Sequence, residues 1–229
     1  MKLCIILPAY NEAQVIGKVL IDLQDFIRTK LKDLDISILV IDDGSSDDTL
    51  EIAQKAKVIV LHHIINRGLG GALATGLEFA KKNNFDLALT MDSDGQHSFT
   101  DIPKAIKPVL ANQADVVIGS RMSKYRDMPF DRVVINFLSS LITLLLFGIW
   151  TTDSQSGFRV FNKKALTLLN LKTQRMEVST EIFAEIKKNH LQFCEVPIKV
   201  IYTEYSRQKG QRNLNSINIL IKLFLRLFR

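Results

Sequence analysis

The stretch LTMDSDGQH, residues 89–97, ends an apolar run with two aspartates one residue apart, followed by Gly95, Gln96 and His97. Asp and Gly are turn formers, so the simple end of a strand explains one of these aspartates easily. It explains the Asp-x-Asp spacing poorly. A pair of carboxylates at the mouth of a buried strand therefore indicates a functional site, and the flanking sequence indicates which fold presents it.

Five short apolar runs rich in Ile, Val and Leu predict strands that are buried on both faces. These runs cover residues 3–7, 36–41, 58–62, 85–91 and 115–119. Apolar residues at helical spacing predict helices between them, at residues 15–27, 47–53 and 72–80. Because strand and helix alternate, we expect an α/β fold with a Rossmann-like, mostly parallel central sheet flanked by helices.

Ligands of such sheets bind beyond the carboxyl ends of the strands. Three polar segments fall at those ends, namely residues 8–12, Asp42 with Asp43, and Asp92 with Asp94. Two carboxylates at this spacing, with Gln96 two residues further on, offer three oxygen ligands to Mg²⁺ or Mn²⁺. These hard cations prefer oxygen and often share their coordination shell with the phosphates of a substrate.

Composition limits the class of protein. The chain has 229 residues, of which 47% are hydrophobic and 24% charged, so it is neither disordered nor an integral membrane bundle. A net charge of +6 favours an anionic partner, either a phosphorylated small molecule, a membrane surface or a nucleic acid. No nucleic-acid recognition motif is present, so we expect no nucleic-acid partner. Cys4 and Cys194 follow no metal or redox spacing, which favours a reducing cytoplasm.

The glycine-rich segment NRGLGG, residues 66–71, is similar to a dinucleotide-binding loop but fails the G-x-G-x-x-G pattern, because Leu73 stands at the third glycine position. We expect these glycines to permit a tight turn and close packing of a helix instead.

Six segments occur in a fixed order: ILPAYNE (6–12), VIDDGSSDDT (40–49), NRGLGGALATG (66–76), MDSDGQH (91–97), VVIGSR (116–121) and DSQSGFRVF (153–161). Together they resemble the inverting family 2 glycosyltransferases of GT-A fold, and among these the dolichyl- or polyprenyl-phosphate mannose and glucose synthases. The resemblance covers about residues 3–210 and implies a catalytic domain over residues 1–212. It implies transfer of a hexose from a nucleotide sugar, GDP-mannose or UDP-glucose, to a polyprenyl phosphate.

The resemblance assigns roles on the donor side. Asp92, Asp94 and Gln96 would hold Mg²⁺ or Mn²⁺ on the donor diphosphate, with Asp94 counted among the catalytic residues. The loop that cradles the nucleoside would contain Pro8, Tyr10 and Glu12. Asp42 would contact the base with Asp43 close by, although Asp43 can equally form a turn with the next two residues.

On the acceptor side, the resemblance places Arg121 and Arg132 at the acceptor phosphate, which suits the guanidinium fork, together with Asn136. Asp153 would act as a base or position a substrate. The loop within residues 195–210 would reach the diphosphate. This chain departs there from the family's Arg-x-x-Gly-x-Ser-Lys pattern, so Arg207 and Lys209 are candidates only.

The segment VVINFLSSLITLLLFGIW, residues 133–150, contains no charged residue and raises the possibility of a transmembrane helix. Its polar residues fall on one helical face with Arg132, and a membrane crossing would separate Asp153 from Asp92. We therefore expect an amphipathic helix at 133–149 that lies in the membrane interface. A second, basic amphipathic helix is expected at 213–229, either on the membrane, packed on the domain or in a dimer contact. These features predict a peripheral protein on the cytoplasmic face of a membrane.

Three alternatives remain at this stage. A related transferase could use a saccharide or diacylglycerol acceptor, which would not need paired Arg121 and Arg132. A nucleotidyltransferase would carry a glycine-rich loop with a lysine near the first strand, and residues 8–12 offer none. A membrane-bound sensor of nucleotide sugars would show no turnover.

Overall fold

The computed structural model describes residues 1–122 and 130–201, apart from the side chains of residues 130–132. Its strands are β1 (Lys2–Ala9), β2 (Asp35–Asp42), β3 (Ile59–His62), β4 (Leu87–Thr90), β5 (Val116–Ser120), β6 (Arg159–Asn162) and β7 (Phe193–Pro197). They form one sheet in the order β3-β2-β1-β4-β6-β5-β7. Neighbouring strands are parallel except at β6, which runs antiparallel to both β4 and β5.

The helices of the described residues are α1 (Ile16–Lys30), α2 (Thr49–Lys55), α3 (Gly68–Lys82), α4 (Ile102–Leu110), α5 (Phe130–Phe147), α6 (Lys163–Leu168) and α7 (Val178–Lys188). A short 3₁₀ turn, Phe99–Asp101, precedes α4. The predicted α/β fold and its five strands are confirmed, and α5 occupies the predicted 133–149 region. Strand β6 was not predicted, because its residues form part of a site motif and no separate apolar run.

The alternation of side chains along β1 divides the core into two layers. Leu3, Ile5 and Leu7 face one layer, which is closed by α1 and α4. Cys4 and Ile6 face the other, which is closed by α3, α6 and α7. All five side chains are completely buried. Because helices cover both faces of the sheet, its strands are continuous apolar runs rather than alternating ones.

The strand register brings the polar segments to one edge of the sheet. Ala9 at the end of β1 lies beside Asp42 at the end of β2, and Thr90 at the end of β4 precedes Asp92 by two residues. Arg121 directly follows β5. Because β6 is antiparallel, it begins at this same edge, and Arg159 pairs with Thr90 on one side and with β5 on the other.

The glycine-rich segment forms the first turn of α3, which begins at Gly68. Residues 172–175 lie directly against this turn. The Gly71 N–H donates to the Gln174 carbonyl at 3.0 Å, and a Cβ atom on Gly70 would lie only 2.2 Å from the Thr173 carbonyl oxygen. The expected close packing is therefore confirmed, and the chain's own carbonyl group occupies the start of α3.

Replacing Gly70 with alanine should destabilise the fold by about 1–3 kcal/mol, the usual cost of overpacking, because the added methyl group meets backbone atoms that cannot move aside. Gly17→Ala is the matched control, since a Cβ atom there meets only the Cγ2 methyl group of Ile52, at 3.1 Å. Alanine within a helix gains up to about 1 kcal/mol over glycine. Urea denaturation measures both variants, and equal stability of the two would contradict the close packing.

Candidate active site

The Asp-x-Asp pair lies just beyond the carboxyl end of β4. The Asp92 side chain is 39% exposed, and its Oδ2 lies 3.1 Å from Nε2 of the buried His97. Behind it, a Cβ atom on Gly157 would lie 2.4 Å from Asp92 Oδ1, so only glycine leaves room for this carboxylate. Asp94 accepts a hydrogen bond from the Gln96 backbone N–H at 2.9 Å and another from the Gln96 side-chain amide. Both carboxylates are thus held in place.

The two carboxyl groups have opposite electrostatic surroundings. Burial by itself raises the pKa of Asp92, but the hydrogen bond and charge of His97 lower it, and the charges of Arg121 and Arg159 lower it further. The pKa of Asp92 therefore lies below its ordinary value. Burial raises the pKa of Asp94, and the negative charge of Asp92 raises it again. A cation close to both groups would relieve this repulsion.

The residues at this position fit a divalent cation that arrives with a substrate. Asp92, Asp94 and Gln96 can supply only oxygen ligands, which Mg²⁺ and Mn²⁺ prefer. Within residues 1–122 and 130–201, no group of three or more His, Cys, Asp or Glu side chains forms a complete metal cage. Mg²⁺ commonly binds one or two protein carboxylates and completes its shell with water and substrate phosphates.

The predicted nucleoside loop follows β1. Pro8 is the residue before the last one of β1, Tyr10 is 46% exposed beyond the strand, and the Glu12 N–H donates to Thr49 Oγ1 at 2.7 Å. Asp42 is completely buried, with Oδ2 2.7 Å from His62 Nδ1. Its other oxygen is buried without a hydrogen-bond partner in the described part of the chain. Such an acceptor is costly to leave unsatisfied.

Both carboxylate oxygens of Asp43 have hydrogen-bond partners within the chain. Oδ1 accepts from the Arg67 N–H at 2.9 Å and lies 2.7 Å from His63 Nδ1, while Oδ2 accepts from the Gly68 N–H at 2.7 Å. These contacts shape the turn that leads into α3. They favour a structural role for this residue, at the start of α3 rather than in a turn with the next two residues.

The histidines were not singled out by sequence analysis, yet three of the four pair with predicted site carboxylates. His62 lies against Asp42, His63 against Asp43 and His97 against Asp92. A signal for the first two was present, because parallel β2 and β3 end together and the register pairs Asp42 with His62. The third pairing follows from the local turn after β4.

Arg121 and Asp153, which were predicted to lie on the acceptor side, form a bidentate ion pair. Arg121 Nε and Nη2 donate to the two oxygens of Asp153 at 2.6 and 2.7 Å, and the Arg121 backbone N–H donates at 3.0 Å. Asp153 is completely buried, whereas the Arg121 side chain is 26% exposed. A carboxylate bound in this way is poorly placed to take a proton from a substrate. Of the two predicted roles for Asp153, the geometry favours positioning.

Arg159 is a second cation that sequence analysis did not single out. It is buried, and its Nη2 donates to Ser179 Oγ at 2.9 Å, while Nε and Nη1 find no partner in the described residues. Burial lowers its pKa to about 10, against the opposing charges of Asp92 and Asp153. The guanidinium is therefore charged at neutral pH and lies within electrostatic range of both Asp92 and Asp153.

Helix α5 turns its polar side chains towards the domain. Those buried are Asn136, Ser139, Ser140 and Thr143, and those exposed include Val134, Phe137, Leu138 and Leu145. Asn136 Nδ2 donates to the Thr152 carbonyl at 2.9 Å, which ties the helix to the segment before Asp153. The predicted helix therefore forms and is amphipathic, and its place in a membrane interface stays a prediction. Among the described helices, none has both the length and the apolar character needed to cross a membrane.

Several predicted features lie outside the described residues. They are the side chain of Arg132, the loop residues Arg207 and Lys209, and the basic helix at 213–229.

Comparison with known proteins identifies relatives along nearly the whole chain. A family model described as glycosyl transferase family 2 matches residues 4–169. A UDP-N-acetylglucosamine–dolichyl-phosphate N-acetylglucosaminyltransferase of Methanococcus voltae is 39% identical, over 97% of this chain and 93% of the relative. An undecaprenyl-phosphate mannosyltransferase of Micrococcus luteus is 28% identical, over 91% of this chain and 87% of the relative.

A solved structure shares the fold. It is glucosyl-3-phosphoglycerate synthase from Mycobacterium tuberculosis in complex with Mn²⁺, UDP-glucose and phosphoglyceric acid. The two chains are 19% identical and superpose with a TM-score of 0.65, over 97% of this chain and 79% of the other.

Proposed function

Because this chain belongs to glycosyl transferase family 2 and is a glycosyltransferase of GT-A fold, we propose that it transfers a sugar from a nucleotide-diphosphate donor to a polyprenyl phosphate. The sugar is a hexose or an N-acetylhexosamine. One observation carries the proposal: Asp92 of the Asp-x-Asp pair lies within electrostatic range of Arg121, and the buried Asp153 holds that arginine in place. Both relatives named above act on polyprenyl-type phosphates, which supports this acceptor.

On the donor side, Asp92, Asp94 and Gln96 would hold Mg²⁺ or Mn²⁺ against the diphosphate. When bound, the cation neutralises the charge that builds up on the leaving nucleoside diphosphate. Because the Asp42 side chain is completely buried, it would reach the base only after the groups that cover it move, and an N–H of the base would then satisfy its unpartnered oxygen. Pro8, Tyr10 and Glu12 would line the nucleoside, and the donor would be GDP-mannose or a UDP-sugar.

On the acceptor side, Arg121 would bind the lipid phosphate, with Arg132 and Asn136 beside it. The phosphate is already anionic near neutral pH, so its oxygen can attack the anomeric carbon without a strong general base. The bond from that carbon to the diphosphate breaks as the new C–O bond forms on the opposite face, which inverts the configuration. Asp153 keeps the Arg121 guanidinium oriented, and Arg207 and Lys209 would meet the leaving diphosphate.

The acceptor choice follows from charge. A saccharide or diacylglycerol acceptor carries no anion for Arg121 to bind, whereas a phosphate matches the planar guanidinium. Arg121 would then serve as the anchor that draws the lipid headgroup into the cleft.

The outer face of α5 would rest in the membrane interface where the lipid resides. Phe137 and Trp150 are both about half exposed and their rings contact each other at a centroid distance of 6.4 Å. Exposed aromatic side chains are typical of helices that lie at the boundary between headgroups and acyl chains. The protein would accordingly be peripheral, on the cytoplasmic face of its membrane.

Asp94→Asn should lower the transfer rate by about a hundredfold or more, since loss of even an outer-shell partner of a metal ligand costs roughly 10–100-fold. Transfer of radiolabelled sugar to polyprenyl phosphate measures the effect. Asp25→Asn, on the exposed face of α1, is the control and should retain the wild-type rate. EDTA should stop the wild-type reaction and added Mg²⁺ or Mn²⁺ should restore it, whereas full activity in EDTA would rule out the cation.

The double variant in which Phe137 and Trp150 are both changed to Gln should bind phospholipid vesicles at least tenfold more weakly, because burial of one large apolar side chain contributes about 1.5–3 kcal/mol. The variant Ile21→Gln is the control, as Ile21 is 58% exposed on α1, comparable to Phe137 at 54% and Trp150 at 50%. Vesicle sedimentation at high salt isolates the apolar contribution, which ions do not screen. Equal loss in the control would show that these two aromatic residues do not mark the membrane-facing surface.

A further inference from the structure

Residues 151–153 connect three elements at the acceptor side of the site. The Thr152 carbonyl accepts from Asn136 of α5, and the Thr152 hydroxyl lies 2.7 Å from the Ser120 hydroxyl at the end of β5. Asp153 holds Arg121. The position of this short segment therefore determines where the Arg121 guanidinium points.

The Glu195 carboxylate on β7 fixes this segment. Its Oε1 accepts from the Thr151 hydroxyl at 2.5 Å and from the Thr152 backbone N–H at 2.8 Å, with the Asp153 N–H at 3.4 Å. Its Oε2 accepts from the Thr152 hydroxyl at 2.8 Å. Both oxygens of one carboxylate are thus committed to three consecutive residues.

These contacts set the direction of a hydroxyl chain. An ionised carboxylate only accepts, so the Thr152 hydroxyl must donate its proton to Glu195. The Ser120 hydroxyl must in turn donate to Thr152, and it accepts from the Met122 N–H at 3.3 Å. This series of hydrogen bonds therefore begins at the Met122 N–H, passes through the Ser120 and Thr152 hydroxyls and ends on Glu195, so that it joins both sequence neighbours of Arg121 to Glu195.

We propose that Glu195 is a positioning residue for the acceptor phosphate. It fixes residues 151–153, and through Asp153 it holds Arg121 in the orientation that binds the phosphate. This inference rests on the proposed function, since it assigns Glu195 to the acceptor half of that site.

The carboxylate is not needed to hold β7 in the sheet. The backbone of β7 already pairs with β5 over five residues, with Glu195 opposite Ile118. A glutamate at a partly exposed strand position would ordinarily be solvated, whereas this one binds the segment that carries Asp153. The contacts of Glu195 thus stabilise the segment next to the site rather than the pairing of β7.

Glu195→Gln should raise the apparent KM for polyprenyl phosphate by roughly tenfold, a factor that corresponds to about 1.4 kcal/mol. The KM for the nucleotide sugar and kcat at saturating acceptor should change by less than about twofold. Thr151→Val removes one of the contacts and should raise the same KM by a smaller factor, which keeps the test decisive if Glu195→Gln folds poorly.

Glu181→Gln is the matched control. Glu181 also accepts from two backbone N–H groups and a threonine hydroxyl, those of Lys172 and Thr173, but it holds the segment packed on α3. It should leave the acceptor KM unchanged. If Glu195 acts through Asp153, the double variant with Asp153→Asn should have the same acceptor KM as Asp153→Asn alone.

A second measurement does not depend on transfer. The Nε–H proton of Arg121, which donates to Asp153 at 2.6 Å, should exchange slowly with solvent by NMR, and faster in Glu195→Gln but not in Glu181→Gln. If the wild-type protein transfers nothing to polyprenyl phosphate, the proposed function fails, and this exchange rate still decides the positioning role. Unchanged exchange, an equal rise in both KM values, or additive effects in the double variant would overturn it.

Discussion

The antiparallel insertion of β6 between β4 and β5 is the constraint on which the site depends. A fully parallel sheet would send the start of β6 to the opposite edge. Here the Gly157 carbonyl accepts from Thr90 Oγ1 at 2.9 Å, and the Phe158 carbonyl accepts from the Gly119 N–H at 2.8 Å. Residues 157–159 are thereby fixed between the two strands, with Gly157 against Asp92 and Arg159 within electrostatic range of Asp92 and Asp153.

Around this arrangement, each charged group is held by a second group. His62 and His97 orient Asp42 and Asp92, and Asp153 orients Arg121. Preorganised charges stabilise a transition state more than mobile ones, because they need not reorient as charge develops. In the proposed reaction negative charge moves from the acceptor phosphate to the leaving diphosphate, and cations that carboxylates hold in a fixed orientation would stabilise that charge.

The parts of this account that the sequence predicts are those with local signals. Apolar runs predicted the positions of β1 to β5. The two carboxylates directly after the fourth run predicted a site at Asp92 and Asp94. The helical spacing of the polar residues in α5 also predicted that they lie on one face and the apolar residues on the other. The features that were not predicted depend on contacts between segments that are distant in sequence. The residues of β6 do not indicate whether the strand runs parallel or antiparallel to its neighbours. The contacts of Arg159 and Glu195 are with residues far along the chain. Such pairings appear only when the sheet order is known.

The most direct test of the central claim is transfer by the intact protein from a panel of labelled nucleotide sugars, with Mg²⁺ or Mn²⁺ present. Polyprenyl phosphate and the matching unphosphorylated polyprenol serve as acceptors. The account predicts that one donor labels the polyprenyl phosphate, with inverted anomeric configuration, and that polyprenol stays unlabelled. Equal labelling of both lipids, or release of free sugar with neither lipid labelled, would contradict it.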